Sequence, residues 1–244
     1  MHRHSPWHQM PAHPKVVAVL AFAVTVVLTP IQRWPVFIAY LMLLVAIALW
    51  VQLPLKLFFA RALIEVPFVF FAVLMPLFGQ GQTVHLGPIR LYEAGLIAGA
   101  SILAKGTLGV LAAVLLSTTT TARDLLRGLS RLKLPALMVE IASFMLRYVN
   151  VVNDEMERMK VARESRGFSA TGIQHWRVIA NAAGALFIRS YERGERVHLA
   201  MVSRGYTGSL PELEDVHASR MDWLRALILP GIAILLSALG GLFL

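Results

Sequence analysis

The chain has 244 residues, 57% hydrophobic and 15% charged, with a mean hydropathy of +0.65 and a formal charge of +9. Soluble domains carry about 25% charged residues, so a soluble globular protein is excluded and a membrane protein is indicated. The absence of cysteine excludes disulfides and thiol-based metal or redox chemistry.

The chain opens on "MHRHSPWHQMPAHPK", which lacks the apolar run and small-residue cleavage site of a secretory peptide. It reads as a retained cytoplasmic leader. His2, His4, His8 and His13 invite a metal-binding reading, but their spacing is irregular and no carboxylate accompanies them. A polar lead-in at the interface is the expectation. Five apolar stretches then read as transmembrane helices: 15–31, 35–53, 60–78, 93–116 and 223–244. Each approaches or reaches the roughly 17–25 residues needed to cross the hydrocarbon core. The first two are joined by a few residues around Arg33 and Trp34 and form an antiparallel hairpin.

A sixth candidate, 134–152, is interrupted by Glu140, Arg147 and Asn150. Glu140 and Arg147 lie two helical turns apart on one face, and each charge costs roughly 2.5–3.5 kcal/mol at the bilayer centre. The stretch 134–166 therefore reads as a long amphipathic helix at or below the membrane surface. With the N-terminus inside, only Arg33 and Arg90 fall in external loops, and Lys105 and Arg147 lie within apolar stretches. The other 19 of the 23 Lys and Arg lie on the cytoplasmic side or at its boundary, which is a positive-inside distribution. It explains the basic charge without nucleic acid and places the C-terminus outside. The expected organisation is an all-α protein of the cell inner or plasma membrane: a membrane domain over 1–116, a cytoplasmic coupling domain over 117–221, and a last span over 222–244.

Within the central block, "STTTTARDLLRGLSRLKLP" predicts a short capped helix, its Ser/Thr cluster accepting from free amides and Pro135 restarting the chain. Two longer helices follow. The first ends on "ERMKVARESRGF" (157–168) and the second on "ERVHLAMVSRGY" (195–206), an ungapped repeat at an offset of 38 residues. Glu157, Arg158 and Ala162 match Glu195, Arg196 and Ala200. Ser165, Arg166 and Gly167 match Ser203, Arg204 and Gly205, and each phrase closes on an aromatic ring. One Arg-Gly at a helix end is ordinary capping. Two identical ones suit a partner that offers the same groove twice, as a two-fold or pseudo-two-fold dimer does.

Most of the chain, most densely from Thr118 to Gly208, resembles the transmembrane T component of energy-coupling factor (ECF) transporters, and within them the cobalt-type CbiQ branch. That family carries a pair of Ala-Arg-Gly motifs at the ends of two cytoplasmic coupling helices, matched here by Ser165-Arg166-Gly167 and Ser203-Arg204-Gly205. The Ser keeps a small side chain beside each Arg. The resemblance implies a non-catalytic subunit that joins two ABC-type ATPase subunits to a substrate-binding membrane subunit, for uptake of a transition metal such as cobalt. It implies no cofactor of its own, with ATP bound by the partners. The chain has no G-x-x-x-x-G-K-[ST] phosphate loop. Nickel or a vitamin is open as cargo, because selectivity would reside in another chain. A stand-alone channel or secondary transporter would need polar or broken spans converging at mid-membrane, and Lys105 is the clear candidate for that role.

Lys105 reads equally as a functional intramembrane cation or as one that snorkels or faces a polar gap. Glu65 is expected to pair with Arg61 at i,i+4. The small residues Gly95, Ala98 and Gly99, and Ser237 with Gly241, give close-approach faces. These faces serve either packing within the chain or a partner subunit.

Overall fold

The computed structural model describes residues 10–52, 65–78, 83–86, 89–168, 175–208 and 218–242. Among them the chain is an all-α membrane protein of eight helices. In order these are α1 (Ala12–Leu28), α2 (Trp34–Trp50), α3 (Val66–Phe78), α4 (Glu93–Thr119), α5 (Ala122–Arg131), α6 (Ala136–Glu164), α7 (Trp176–Val202) and α8 (Arg220–Leu242). Each expected span falls on a helix, although residues 60–64 of the third lie outside the described set, and with them the Arg61 partner expected for Glu65. The segment read as an external loop before α4 holds a small antiparallel hairpin, β1 (Thr83–Leu86) and β2 (Ile89–Tyr92), in register Thr83↔Tyr92 and Leu86↔Ile89. Its two four-residue runs are too short to stand out by periodicity beside the apolar helices.

By length and composition α4, α6 and α8 can each cross a membrane, and α1, α2 and α3 are shorter apolar helices. The chain divides into two compact units, one of Met1–Leu132 with Val216–Leu244 and one of Lys133–Asp215. The short helix α5, expected within the central block that starts at 117, packs on α1 in the first unit. Gly128 makes this possible, because a Cβ there would press on Ala12 and on the backbone of His13. Thr121 caps α5, accepting from the Asp124 amide at 3.2 Å.

The core of the first unit lies where α1, α2, α4 and α8 meet. Phe22, Tyr40, Leu44, Leu111 and Leu115 are fully buried there. Phe22 and Phe37 both meet the Tyr40 ring edge-on, at centroid distances of 5.8 and 6.1 Å. A buried phenol needs a partner. Tyr40 donates to the Ala233 carbonyl at 3.2 Å and lies 3.1 Å from the Thr29 hydroxyl. Arg33, in the α1–α2 turn, donates to the Ser237 carbonyl at 3.1 Å, so the hairpin is tied to α8. The small residues act inside the chain: Gly95 and Gly99 lie against the α3 backbone at Met75, Pro76 and Ala72, and Gly241 lies against the Arg33 guanidinium.

Two lysines are partnered by one arrangement. Lys15, in the first turn of α1, donates to the Thr119 carbonyl at the end of α4 at 3.2 Å. Lys105, midway along α4, donates to the Val27 carbonyl in the last turn of α1 at 2.7 Å. Each ammonium thus satisfies an orphan carbonyl at the negative end of the other helix. Lys105 therefore has a main-chain partner on α1.

Candidate functional site

The two repeated phrases form the same structure twice. In the first, the Phe168 amide donates to the Arg163 carbonyl at 3.1 Å and the Gly167 amide to the Glu164 carbonyl at 2.9 Å. In the second, Tyr206 donates to Met201 and Gly205 to Val202, both at 3.0 Å. This is the six-to-one and five-to-two pairing of a Schellman helix end. It requires a left-handed residue, and Gly167 and Gly205 supply it with φ of +76° and +85°. A Cβ at either glycine would meet nothing within 4 Å, so conformation and not crowding demands glycine here. Ser165 and Ser203 each fold their hydroxyl back onto the carbonyl three residues earlier, Ala162 at 3.2 Å and Ala200 at 3.0 Å. The hydroxyls are satisfied locally, and Arg166 and Arg204 are left exposed on the last turn.

The helices bearing these tips run in opposite directions. Glu155 of α6 pairs with Arg189 of α7. Further along, Glu140 of α6 accepts from the Tyr206 hydroxyl, just beyond α7, at 2.7 Å. The second tip therefore stands beside the beginning of α6. From Glu140 to Arg166 the 26 intervening steps, at about 1.5 Å each, cover roughly 39 Å, which places the two tips at opposite ends of the pair. The structure does not gather Arg166 and Arg204 into one site.

Between α6 and α7 lies an open groove lined by Glu155, Arg158, Arg163, Arg166, Val178 and Arg189 among others. Its charge is mostly positive, with Glu155 paired to both Arg158 (3.6 Å) and Arg189. The other supporting positions lie on exposed helix faces, where Glu157 meets Lys160 at 3.4 Å and Arg196 meets Glu192 at 3.9 Å. Exposed pairs of this kind contribute at most about 1 kcal/mol. Among the described residues neither α6 nor α7 buries a single side chain. Leu137, Met138, Met145, Phe187, Tyr191 and Leu199 all stand exposed.

The aromatic residue closing each phrase is held differently in the two copies. Phe168 meets the His175 ring edge-on at 5.0 Å. Tyr206 hydrogen-bonds Glu140, and this bond together with the adjacent negative charge raises the phenol above its ordinary pKa of 10, so it stays protonated through the physiological range. Both rings were visible in the repeat; their partners were not. Of the N-terminal histidines, His2, His4 and His8 lie outside the described residues, and His13 meets Trp223 edge-on at 5.8 Å.

Residues 3–214 match the family model described as "CbiQ: Cobalt transport protein". The chain is 27% identical over 206 residues to the cobalt transport protein CbiQ of Rhodobacter capsulatus, covering 84% of this chain and 82% of that one. It is 28% identical over 220 residues to the energy-coupling factor transporter transmembrane protein EcfT of Listeria innocua, covering 82% and 80%. It is 28% identical over 222 residues to a putative fused cobalt transport protein CbiMQ of Methanocorpusculum labreanum, covering 86% and 37%. Against its archaeal relatives the chain spans 37% to 56% of their length.

Proposed function

Because the chain belongs to the CbiQ family of cobalt transport proteins, we propose that it is the non-catalytic coupling subunit of an ECF-type transporter. In this reading two ABC-type ATPase subunits dock on the tips of α6 and α7. Their ATP-driven motion passes through these helices to a substrate-binding membrane subunit that takes up a transition metal ion, cobalt being the expected cargo. The central block carrying these helices lies in the cytoplasm, the N-terminus with it, and the C-terminus outside.

One observation carries the reading: two superposable helix ends, each presenting an exposed Arg, at opposite ends of an antiparallel pair. An antiparallel pair with like tips approximates a local two-fold axis, which matches a partner built as a dimer. The uncovered apolar side chains of α6 and α7 supply the second support. On α7 and the second half of α6 they share the helix surface with many charges, a mixture that suits a protein surface.

The test is charge reversal at the tips. Arg presents a rigid fork of donors suited to a carboxylate or to backbone carbonyls at a groove wall. Losing one buried charge-assisted contact costs on the order of 2–5 kcal/mol at an interface. Arg166→Glu and Arg204→Glu should each weaken retention of the ATPase subunits during gentle purification while leaving expression and insertion intact. The double variant should lose far more than either single one, because the two contacts act through effective concentration. Wild-type retention and metal uptake by both single variants would reduce the tips to helix caps.

A further inference from the structure

The twin tips differ in one respect that the repeat does not explain, namely what holds each closing ring. The first ring, Phe168, meets a residue at the start of the next helix and makes no hydrogen bond through its side chain. The second ring, Tyr206, reaches 66 residues back along the chain to Glu140. That bond joins the residue directly after Gly205 to the beginning of the opposing helix. The backbone amide of the same Tyr206 closes the helix end by donating to Met201. One residue thus belongs at once to the helix end that presents Arg204 and to the contact between α7 and α6.

From this geometry we propose that Glu140 is a positioning residue: through Tyr206 it fixes where the second Arg tip stands relative to α6, and so sets the spacing of the two tips. The proposal rests on the docking reading for its functional meaning but not for its structural content.

The physical argument is one of leverage. Among the described residues α6 and α7 have no buried side chain between them, so packing does not lock their relative disposition. Two polar contacts, spaced well apart, bear on it. One is Glu155 with Arg189 near the middle of α7, where the Arg is more than half exposed; a single mid-helix contact leaves a rod free to pivot about it. The other is Tyr206 with Glu140, which pins the far end. A tyrosine side chain has only two χ angles and a rigid ring, so a 2.7 Å bond at its tip, accepted by a carboxylate, constrains direction better than a flexible ion pair does. A partner that must engage both tips together gains from a preset spacing, because less freedom is lost on binding. The same argument explains a carboxylate in the otherwise apolar first half of α6: its place is set by the incoming phenol.

The experiment uses the full chain in nanodiscs, with spin labels at Lys160→Cys on α6 and Thr207→Cys beside the second tip. The chain has no natural cysteine, so labelling is specific. Tyr206→Phe removes one oxygen and keeps the ring. It should widen the distance distribution between the labels and weaken retention of the co-expressed ATPase subunits by about two- to tenfold, the effect of one modest hydrogen bond. Glu140→Leu should widen the distribution at least as far, and the pair combined should do less than the sum of the two, since both remove the same bond. Glu140→Gln keeps an acceptor and should restore the narrow distribution, a rescue that a merely structural role for the carboxylate would not give. Phe168→Leu should leave the distribution unchanged. Unaltered distances in Tyr206→Phe, or Glu140→Gln as damaging as Glu140→Leu, would overturn the proposal. A widened distribution in Tyr206→Phe, with Arg204→Glu still retaining the ATPases, would uphold the positioning role and discard the docking reading, so the two fail separately.

Discussion

The bundle around α1 and the pair α6–α7 are both helical and both rich in apolar side chains, yet they are held in opposite ways. In the bundle, Tyr40, Phe22 and Leu111 are fully enclosed, and glycines bring α4 onto the α3 backbone. In the pair, helices of 29 and 27 residues bury no side chain, and polar contacts such as Glu155 with Arg189 and Glu140 with Tyr206 tie them together. The bundle closes a core within the chain. The pair is an unfinished interface. Apolar content is therefore a poor guide to where stability resides. Close approach through small residues, with hydroxyls and ammonium groups satisfied by main-chain carbonyls, is the better guide in a bilayer that supplies no hydrophobic drive between helices.

The largest expected contrast comes from truncating one apolar side chain in each region. Leu111→Ala should lower thermal stability in detergent by on the order of 2 kcal/mol or more, since a packed cavity opens. Phe187→Ala, at a position 72% exposed, should stay within about 0.5 kcal/mol in the isolated chain. Retention of partner subunits should rank the two variants in the reverse order. Comparable melting losses would mean that the pair is packed in solution after all.

A second prediction sharpens the account of the bundle. Gly99→Val forces a branched side chain against the Ala72 carbonyl and should destabilise by about 1–3 kcal/mol through overpacking. Unchanged melting would show that the α3–α4 contact is loose. Third, Gly167→Ala and Gly205→Ala should each cost about 1 kcal/mol locally, because φ is positive and no neighbour crowds the site. Hydrogen exchange at the tip amides should quicken equally in both, with the bundle core unaffected. Unequal effects would separate the two tips at the level of the backbone.

The smallest effect is expected at the boundary between the units. Lys133 follows α5 with φ of +62°, a conformation that costs a side chain about 1 kcal/mol. Lys133→Gly should therefore be neutral or stabilising by up to about 1 kcal/mol in denaturant or thermal melts. A clear destabilisation would show that the Lys side chain makes a contact outweighing the backbone strain.

Helix positions, the membrane class and the left-handed glycine at each tip were legible in the sequence because each depends on neighbours within about one turn to a few turns. An apolar run makes a helix wherever lipid surrounds it, and Arg-Gly-aromatic after a helix closes it by bonds spanning five residues or fewer. Even the doubled tip is a local fact written twice. What the tertiary structure alone decided are the pairings across distance. Lys15 meets Thr119 and Lys105 meets Val27 because α1 and α4 run antiparallel; read from the sequence, Lys105 could equally have been a functional intramembrane cation. Gly95 and Gly99 could have faced a partner, and it is the approach of α3 that occupies them. Tyr206 and Phe168 are equivalent in the repeat, and only the course of the chain brings a carboxylate to one and an imidazole to the other. A repeat specifies the shape of each copy, but a bond between residues 66 positions apart depends on where the intervening chain goes, and no periodicity encodes that.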